Sequence, residues 1–490
     1  MCKGHGFGKA ALLAAALAGL PGVARSQPQG PADAPAQPSA PAPEAAAPPA
    51  PAPAQPPAPA QAQPALPLPA SPEVQPAVPA PAVTPAPTAP VVKALPSALQ
   101  LKLYGFLNGA IERVSASGGA TPYASRGRVT DGNSRFGGFV AYDVGHGTKA
   151  IAQLEGQLNF DQGGVNDQGS PALLTSRNSF VGVEHVLLGR LVIGNVDSAY
   201  RSLVGSGGAL GGNLGLTVTG LDLWNNTSAQ SSGNFFSPFS RGEARYKNSV
   251  HWITPDWALV PEWLKLRLAG SYAFDEAMVN GHSRDRYSAA VKVAVKGLEV
   301  GGGFDRQDNT GVDVDKLQQG YGFGVDAQQD VATTYWKALA GYHFPFGTYV
   351  GAGFERASYG FAMFVPASAS NHYSYVQTGT MRQDGVMVSL AQTLGPATLM
   401  ASYAKLGSLT NPVVGTGSDY QGSQVSVGGK WDLSDVFAVY AYYTEIKNHA
   451  LQILDLGQSP LFGNELGSPS AFLSPGTSPS AVGLGAIVRF

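Results

Sequence analysis

Hydrophobic and polar residues alternate at period two along most of this chain from Leu101 to its end. The last ten residues, Ala481 to Phe490, show the pattern most clearly. Val482, Leu484, Ala486, Val488 and Phe490 share one face; Ala481, Gly483, Gly485, Ile487 and Arg489 share the other. Such a segment is a strand with one apolar face that ends on an aromatic. A strand that keeps its apolar face to the terminus predicts a closed sheet sealed by its last strand, and closure is compulsory in a membrane because unpaired strand edges in hydrocarbon are costly. Sixteen segments alternate in this way, from 101–113 and 134–143 through 149–160, 264–274 and 286–296 to 436–446 and 481–490. In 149–160, Ala150, Ala152, Leu154, Gly156, Leu158 and Phe160 oppose Lys149, Gln153, Glu155, Gln157 and Asn159.

The connections alternate between long and short. Long ones include 114–133, 197–244, 307–334 and 447–480; short ones fall near 144–148, 297, 345–347 and 395. In an up-and-down barrel this places all long loops on one rim and all tight turns on the other, the arrangement of outer-membrane barrels. An even strand number puts both ends of the barrel on the short-turn, periplasmic side. The fold class expected is therefore all-β: a 16-stranded antiparallel transmembrane β-barrel over 99–490.

Two segments precede it. Met1 to Ser26 reads as a signal peptide, with Lys3 and Lys9 before the apolar core Ala10–Leu20 and small residues up to a cleavage site after Ser26. Residues 27–98 hold 24 of the 38 prolines, mixed with Ala and Gln. They cannot bury a core, so a disordered periplasmic linker of extended polyproline character is expected.

Composition agrees with a barrel. Charged residues are only 13%, Gly numbers 62 and mean hydropathy is −0.02, while no apolar run reaches the eighteen residues of a helical span. A net charge of −2 offers no basic excess for nucleic acid. The one cysteine, Cys2, precludes an internal disulfide. The histidines are scattered, with no metal-ligand spacing, and no cofactor fingerprint is present. The nearest approach to a catalytic dyad, His251 with Ser249, reads as a structural pair, so neither enzyme, cofactor nor metal is expected.

A polar lumen and a lipid-facing apolar wall set the direction of the side chains. Arg135, Lys149, Glu155, Arg177, Arg190, Arg245, Lys247, Lys265, Arg267 and Lys292 are expected to point inward, into a bore that sixteen strands leave open. The longest connection, 197–244, carries Asp197, Asp222 and Glu243 with Trp224, Phe235, Phe236 and Phe239. Its aromatics predict a loop folded against the inner wall, narrowing the pore.

These residues resemble the sixteen-stranded general porins of Gram-negative outer membranes, in the branch common among betaproteobacteria. Leu103-Tyr104-Gly105 resembles a first-strand L-Y-G. Ser134–Gly137 followed by Lys149–Glu155 resembles S-R-x-G … K-A-x-x-Q-L-E, and Ser176–Gly182 resembles S-R-x-S-F-V-G. Gly194–Tyr200 resembles the entry to the third loop, and Arg245, Asn248-Ser249-Val250 and Pro255 the stretch after it. The resemblance implies a passive diffusion pore, usually a homotrimer, whose third loop faces wall arginines, here Arg135, Arg177 and Arg245. It also implies that the terminal Phe490 is read by the barrel-assembly machinery. Asn195 departs from the family's Arg, and the loop lacks the family's P-E-F motif.

The function expected is an outer-membrane porin for small hydrophilic solutes and ions, with a mild anion preference. Its constriction would be set by Arg135, Arg177, Arg245, Asp197, Asp222 and Glu155. A substrate-specific channel, or a barrel anchored in outer-membrane lipid whose arm 27–98 contacts peptidoglycan, are the alternatives.

Overall fold

The structure is a computed structural model that describes residues 99–490 apart from 121–122, 162–175, 207–220, 234–235, 260–262, 277, 279–280, 319–323, 371 and 462–472. The signal segment 1–26, the linker 27–98 and Phe235 lie outside the described residues. In chain order the elements are β1 (Leu99–Ser117), β2 (Tyr123–Thr130), β3 (Arg135–Gly145), β4 (Thr148–Gln157), β5 (Ser179–His185), β6 (Gly189–Asp197), α1 (Ala199–Val204), β7 (Arg245–Ile253), β8 (Trp257–Ala258) and β9 (Leu264–Ala273). They continue with β10 (Arg286–Val295), β11 (Leu298–Val312), α2 (Val314–Gln318), β12 (Val325–His343), β13 (Thr348–Val365), β14 (Tyr375–Leu394), β15 (Ala397–Leu406), β16 (Gly422–Asp432), β17 (Phe437–Asn448) and β18 (Ser478–Arg489).

Sixteen of the strands, all but β2 and β8, form one closed antiparallel barrel, each paired with its sequence neighbours. They correspond one to one with the alternating segments of the sequence. β2 folds back on the outer half of β1 (Ala110↔Thr130), and β3 takes the inner half (Leu99↔Tyr142 to Phe106↔Arg135). β8 is a two-residue pairing with β9 in one of the turns.

Several strands run beyond the expected limits. β12 begins at Val325 rather than 335, and β13 continues to Val365 rather than 356. These extensions are paired through their backbone (Phe361↔Gly379) but rise above the lipid, where nothing requires an apolar outward face, so alternation fades while the ladder persists.

The outer wall carries two aromatic levels. Phe304 and Trp336 lie with ring centroids 4.5 Å apart, next to Tyr287. Tyr342, Phe344 and Phe346 form a second group, with centroids 4.6 and 5.2 Å apart. Along the tilted β12 these levels are separated by ~20 Å, close to the height of an outer-membrane apolar band.

The seam joins β1 to β18 from Phe106↔Arg489 to Ser117↔Ser478. Past the last ladder residue, the Gly105 amide donates to the Phe490 carbonyl at 2.9 Å and the Phe490 amide returns a bond to the Gly105 carbonyl at 3.2 Å. The Phe490 ring lies over Gly105, where a Cβ would come within 2.2 Å of it. Val482, Leu484 and Phe490 are more than half exposed on the outside, whereas Ala481 and Ile487 are buried within. Deleting Phe490 removes both seam bonds and the ring. The expected result is a marked fall in heat-modifiable folded barrel on gels, with normal conductance in the channels that do insert; unimpaired insertion would contradict this.

Candidate functional site

The described parts of the connection between β6 and β7 fold into the barrel. Its first turn is α1, capped by the Ser198 side chain, which accepts from the Arg201 amide. The Ala199 amide donates to Ser271 Oγ on β9 at 2.6 Å and the Tyr200 amide to Ser288 Oγ on β10 at 3.3 Å. Gly303 on β11 leaves room for the helix, since a Cβ there would approach Val204 within 2.6 Å. Farther along, Ser389 of β14 donates to the Leu221 carbonyl and Ser426 of β16 to that of Ala229. The Trp224 ring packs 5.9 Å from Tyr442 of β17. The last connection seals this layer, its Gly457 and Gln458 amides donating to the Ser228 and Thr227 carbonyls.

This course explains a departure from the expected polar lumen. On β14 and β15 the inward side chains include Met381, Met387, Met400 and Leu406, all buried. They belong to one buried cluster with Leu221, Leu223, Trp224 and Phe239 of the loop, so the inner wall there forms a protein core.

A buried ion cluster fixes the returning limb of the loop. Lys337 Nζ lies 2.5 Å from Glu243 Oε1 and 3.2 Å from Glu355 Oε2, all three side chains fully buried. The Arg241 amide donates to Glu355 at 3.2 Å, and Lys337 stands over the Phe239 ring at 4.3 Å. Glu243 also accepts from the Ser206 amide and hydroxyl, which ties the end of α1 to the same lysine.

The opposite wall holds the charges singled out in the sequence. Arg177 Nε donates to Glu155 Oε1 at 2.6 Å, and Tyr104 donates to the other oxygen at 2.8 Å. A second nitrogen of Arg177 reaches Asn133 Oδ1. Arg135 donates to the Asn133 carbonyl at 3.3 Å and lies over the Phe106 ring at 4.3 Å. Arg245 pairs with Asp197 at 3.0 Å, as does Arg201 from α1. Asn178, next to Arg177 in the chain, braces this pair, donating to Asp197 at 2.9 Å and accepting from Arg245 at 3.1 Å. Arg135, Arg177 and Glu155 thus form one hydrogen-bonded group, and Arg245, Arg201 and Asp197 a second beside it, along β3 to β7. Asn195, where the family carries Arg, donates to the Arg177 carbonyl at 2.9 Å and positions that residue's backbone.

Asp222 stands apart. It accepts from the Ser231 and Ser232 amides at 2.8 Å each, from Ser232 Oγ at 3.0 Å and from the Trp224 amide at 3.1 Å, so it organises its own loop. Burial pushes its carboxyl up to about 6, against the donors that favour the charged form. His251 bonds Ser271 Oγ at 2.7 Å, not Ser249, which donates to the Gly194 carbonyl. Among the described residues no cluster of three His, Cys, Asp or Glu is placed to hold a metal.

Three participants escaped the sequence reading. Asn226 in the loop accepts from Asn133 Nδ2 at 2.7 Å, and its carbonyl accepts from Asn108 at 2.7 Å, so the loop touches the arginine wall. Arg201 could have been noticed as the i+4 partner of Asp197. Asn226 and Lys337 carried no such signal.

A closed sixteen-stranded barrel with an inward loop facing a charged wall defines a transmembrane channel. The family model described as Gram-negative porin matches residues 77–451, and the chain belongs to that family. No curated protein matches it closely. The anion-selective porin from Comamonas acidovorans is 17% identical with a TM-score of 0.55, over 80% of this chain and 100% of that one. The loop L8 deletion mutant of OmpT from Vibrio cholerae is 14% identical with a TM-score of 0.49, over 80% and 100%. OmpF of Salmonella typhi in complex with daunomycin is 11% identical with a TM-score of 0.45, over 80% and 98%. The protein is thus a bacterial outer-membrane β-barrel channel for passive diffusion.

Replacing Lys337 with Met leaves Glu243 and Glu355 buried without the lysine they share, and removing one partner of a buried ion pair costs about 3–5 kcal/mol. The expected outcome is a loosened loop, read as increased open-channel current noise. Also replacing both glutamates with Gln should quieten the current again.

Proposed function

We propose that this porin prefers anions, with Arg135, Arg177 and Arg245 of the wall and Arg201 of α1 setting the field at its constriction. The observation that carries this reading is the imbalance at the wall beside α1, where two guanidinium groups, Arg245 and Arg201, converge on the single carboxylate Asp197, next to the one-to-one pair Arg177–Glu155. In a narrow bore with low-dielectric walls, an uncompensated positive charge raises the local concentration of anions and repels cations. Asp222 contributes little to that field, because its oxygens are turned to its own loop.

Passage needs no energy source, and small hydrophilic solutes move down their gradients. A homotrimeric assembly, reading of Phe490 by the barrel-assembly machinery and contact of 27–98 with peptidoglycan complete the proposal. Family membership supports the first two; the proline-rich composition of the arm supports reach rather than a specific contact.

Reversal potentials in a potassium chloride gradient test the central point. Wild-type channels should be anion-preferring. Arg177→Gln, which frees the charge of Glu155, should shift the potential toward cations, and Glu155→Gln should shift it the other way. Cation preference in the wild type would overturn the proposal.

A further inference from the structure

We propose that the extracellular vestibule holds a docking site for small, multiply charged oxyanions, carboxylate or phosphate, built by Lys247, Arg284 and Arg286 and bordering the constriction at Arg245. It rests on the reading of an anion-preferring pore and extends it to a solute class. A cavity of about 320 Å³ opens where the outer ends of β7, β9 and β10 meet. Its lining includes four cations, Arg245, Lys247, Arg284 and Arg286, and one carboxylate, Asp275.

The local backbone creates the cluster. Asn248 has a φ of 50°, which breaks the alternation of β7. Tyr246 and Ser249 are therefore both buried, while Lys247 is exposed at the cavity. Arg286 opens β10 opposite Ala273, on the same face as Ser288 and Lys292, so it points into the barrel.

The four cations are unequally paired. Arg245 is held by Asp197 at 3.0 Å and Arg284 by Asp275 at 3.1 Å. Asp285 nearby accepts from Tyr272 and Ser283, and Asp305 below accepts from Tyr246 and Gln307. Lys247 and Arg286 make no ion pair among the described residues. Two cations thus face a space at the small end of ligand cavities. Arg286 offers the planar fork that binds carboxylate or phosphate in bidentate fashion, and Lys247 adds a mobile point charge. A singly charged chloride ion gains less from such a pair than a dianion that spans it.

Two titrations test the site. Calorimetry on the detergent-folded full-length protein uses inorganic phosphate and succinate as probes, with glucose as control. Block of chloride current by the same probes, at constant ionic strength, gives a second readout. Binding and block by phosphate, succinate or both are expected, and which of them acts assigns the headgroup chemistry. In Lys247→Gln/Arg286→Gln the half-saturating concentration should rise about tenfold or more, since both charge-assisted contacts are lost. Lys247→Arg, with Arg286 kept, should retain binding. Wild-type channels that conduct chloride yet neither bind nor are blocked by either anion would overturn the site while leaving the pore reading intact. Unchanged affinity in the double Gln variant would also overturn it.

Discussion

Every other feature of this molecule depends on the closure of β1 on β18. Inside a bilayer no water is available to an orphaned backbone amide, so sixteen strands are tolerable only if the sixteenth finds the first. The ladder from Phe106↔Arg489 to Ser117↔Ser478, extended by the paired bonds between Gly105 and Phe490, removes the last edge. Closure also fixes which face is which. Once the sheet is a cylinder, Val482 and Leu484 must meet lipid, and Ala481 and Ile487 must look inward.

The interior is organised by a second requirement, that a long loop folded into the barrel must itself be packed and paired. The chain solves this asymmetrically. On the β12–β16 side, methionines, serines and the Lys337–Glu243–Glu355 cluster hold the loop as a protein core would. On the β3–β7 side, charged groups are held in two adjoining hydrogen-bonded clusters whose asparagines orient the arginines without neutralising them. One limb of the lumen supplies rigidity and the other supplies the field, and selectivity depends on both because a loose loop would blur the geometry of the charges.

Much of the fold was legible in the sequence, because lipid on one side and a filled or wet lumen on the other impose a strict period of two. The strand ending at Phe490 and the one bearing Lys149 and Leu154 show why: a single slip would reverse every side chain. β2 and the outer halves of β11 to β14 were invisible for the complementary reason, since they stand clear of the lipid and their pairing needs no alternation. The inward arginines could be named from parity, but the roles of the acids could not. Asp197 and Asp222 look alike in sequence; one joins two arginines and the other binds amides of its own loop. Asn226, Lys337 and the apolar inner wall at Met381 and Met387 become meaningful only once the path of the loop is known.

The measurement that bears most directly on this account is the single-channel conductance of the refolded full-length protein in a planar bilayer. The account predicts discrete, stable current steps that scale with salt concentration, as expected of a fixed aqueous path beside a latched loop. A protein that inserts as a folded barrel yet passes no current would contradict it.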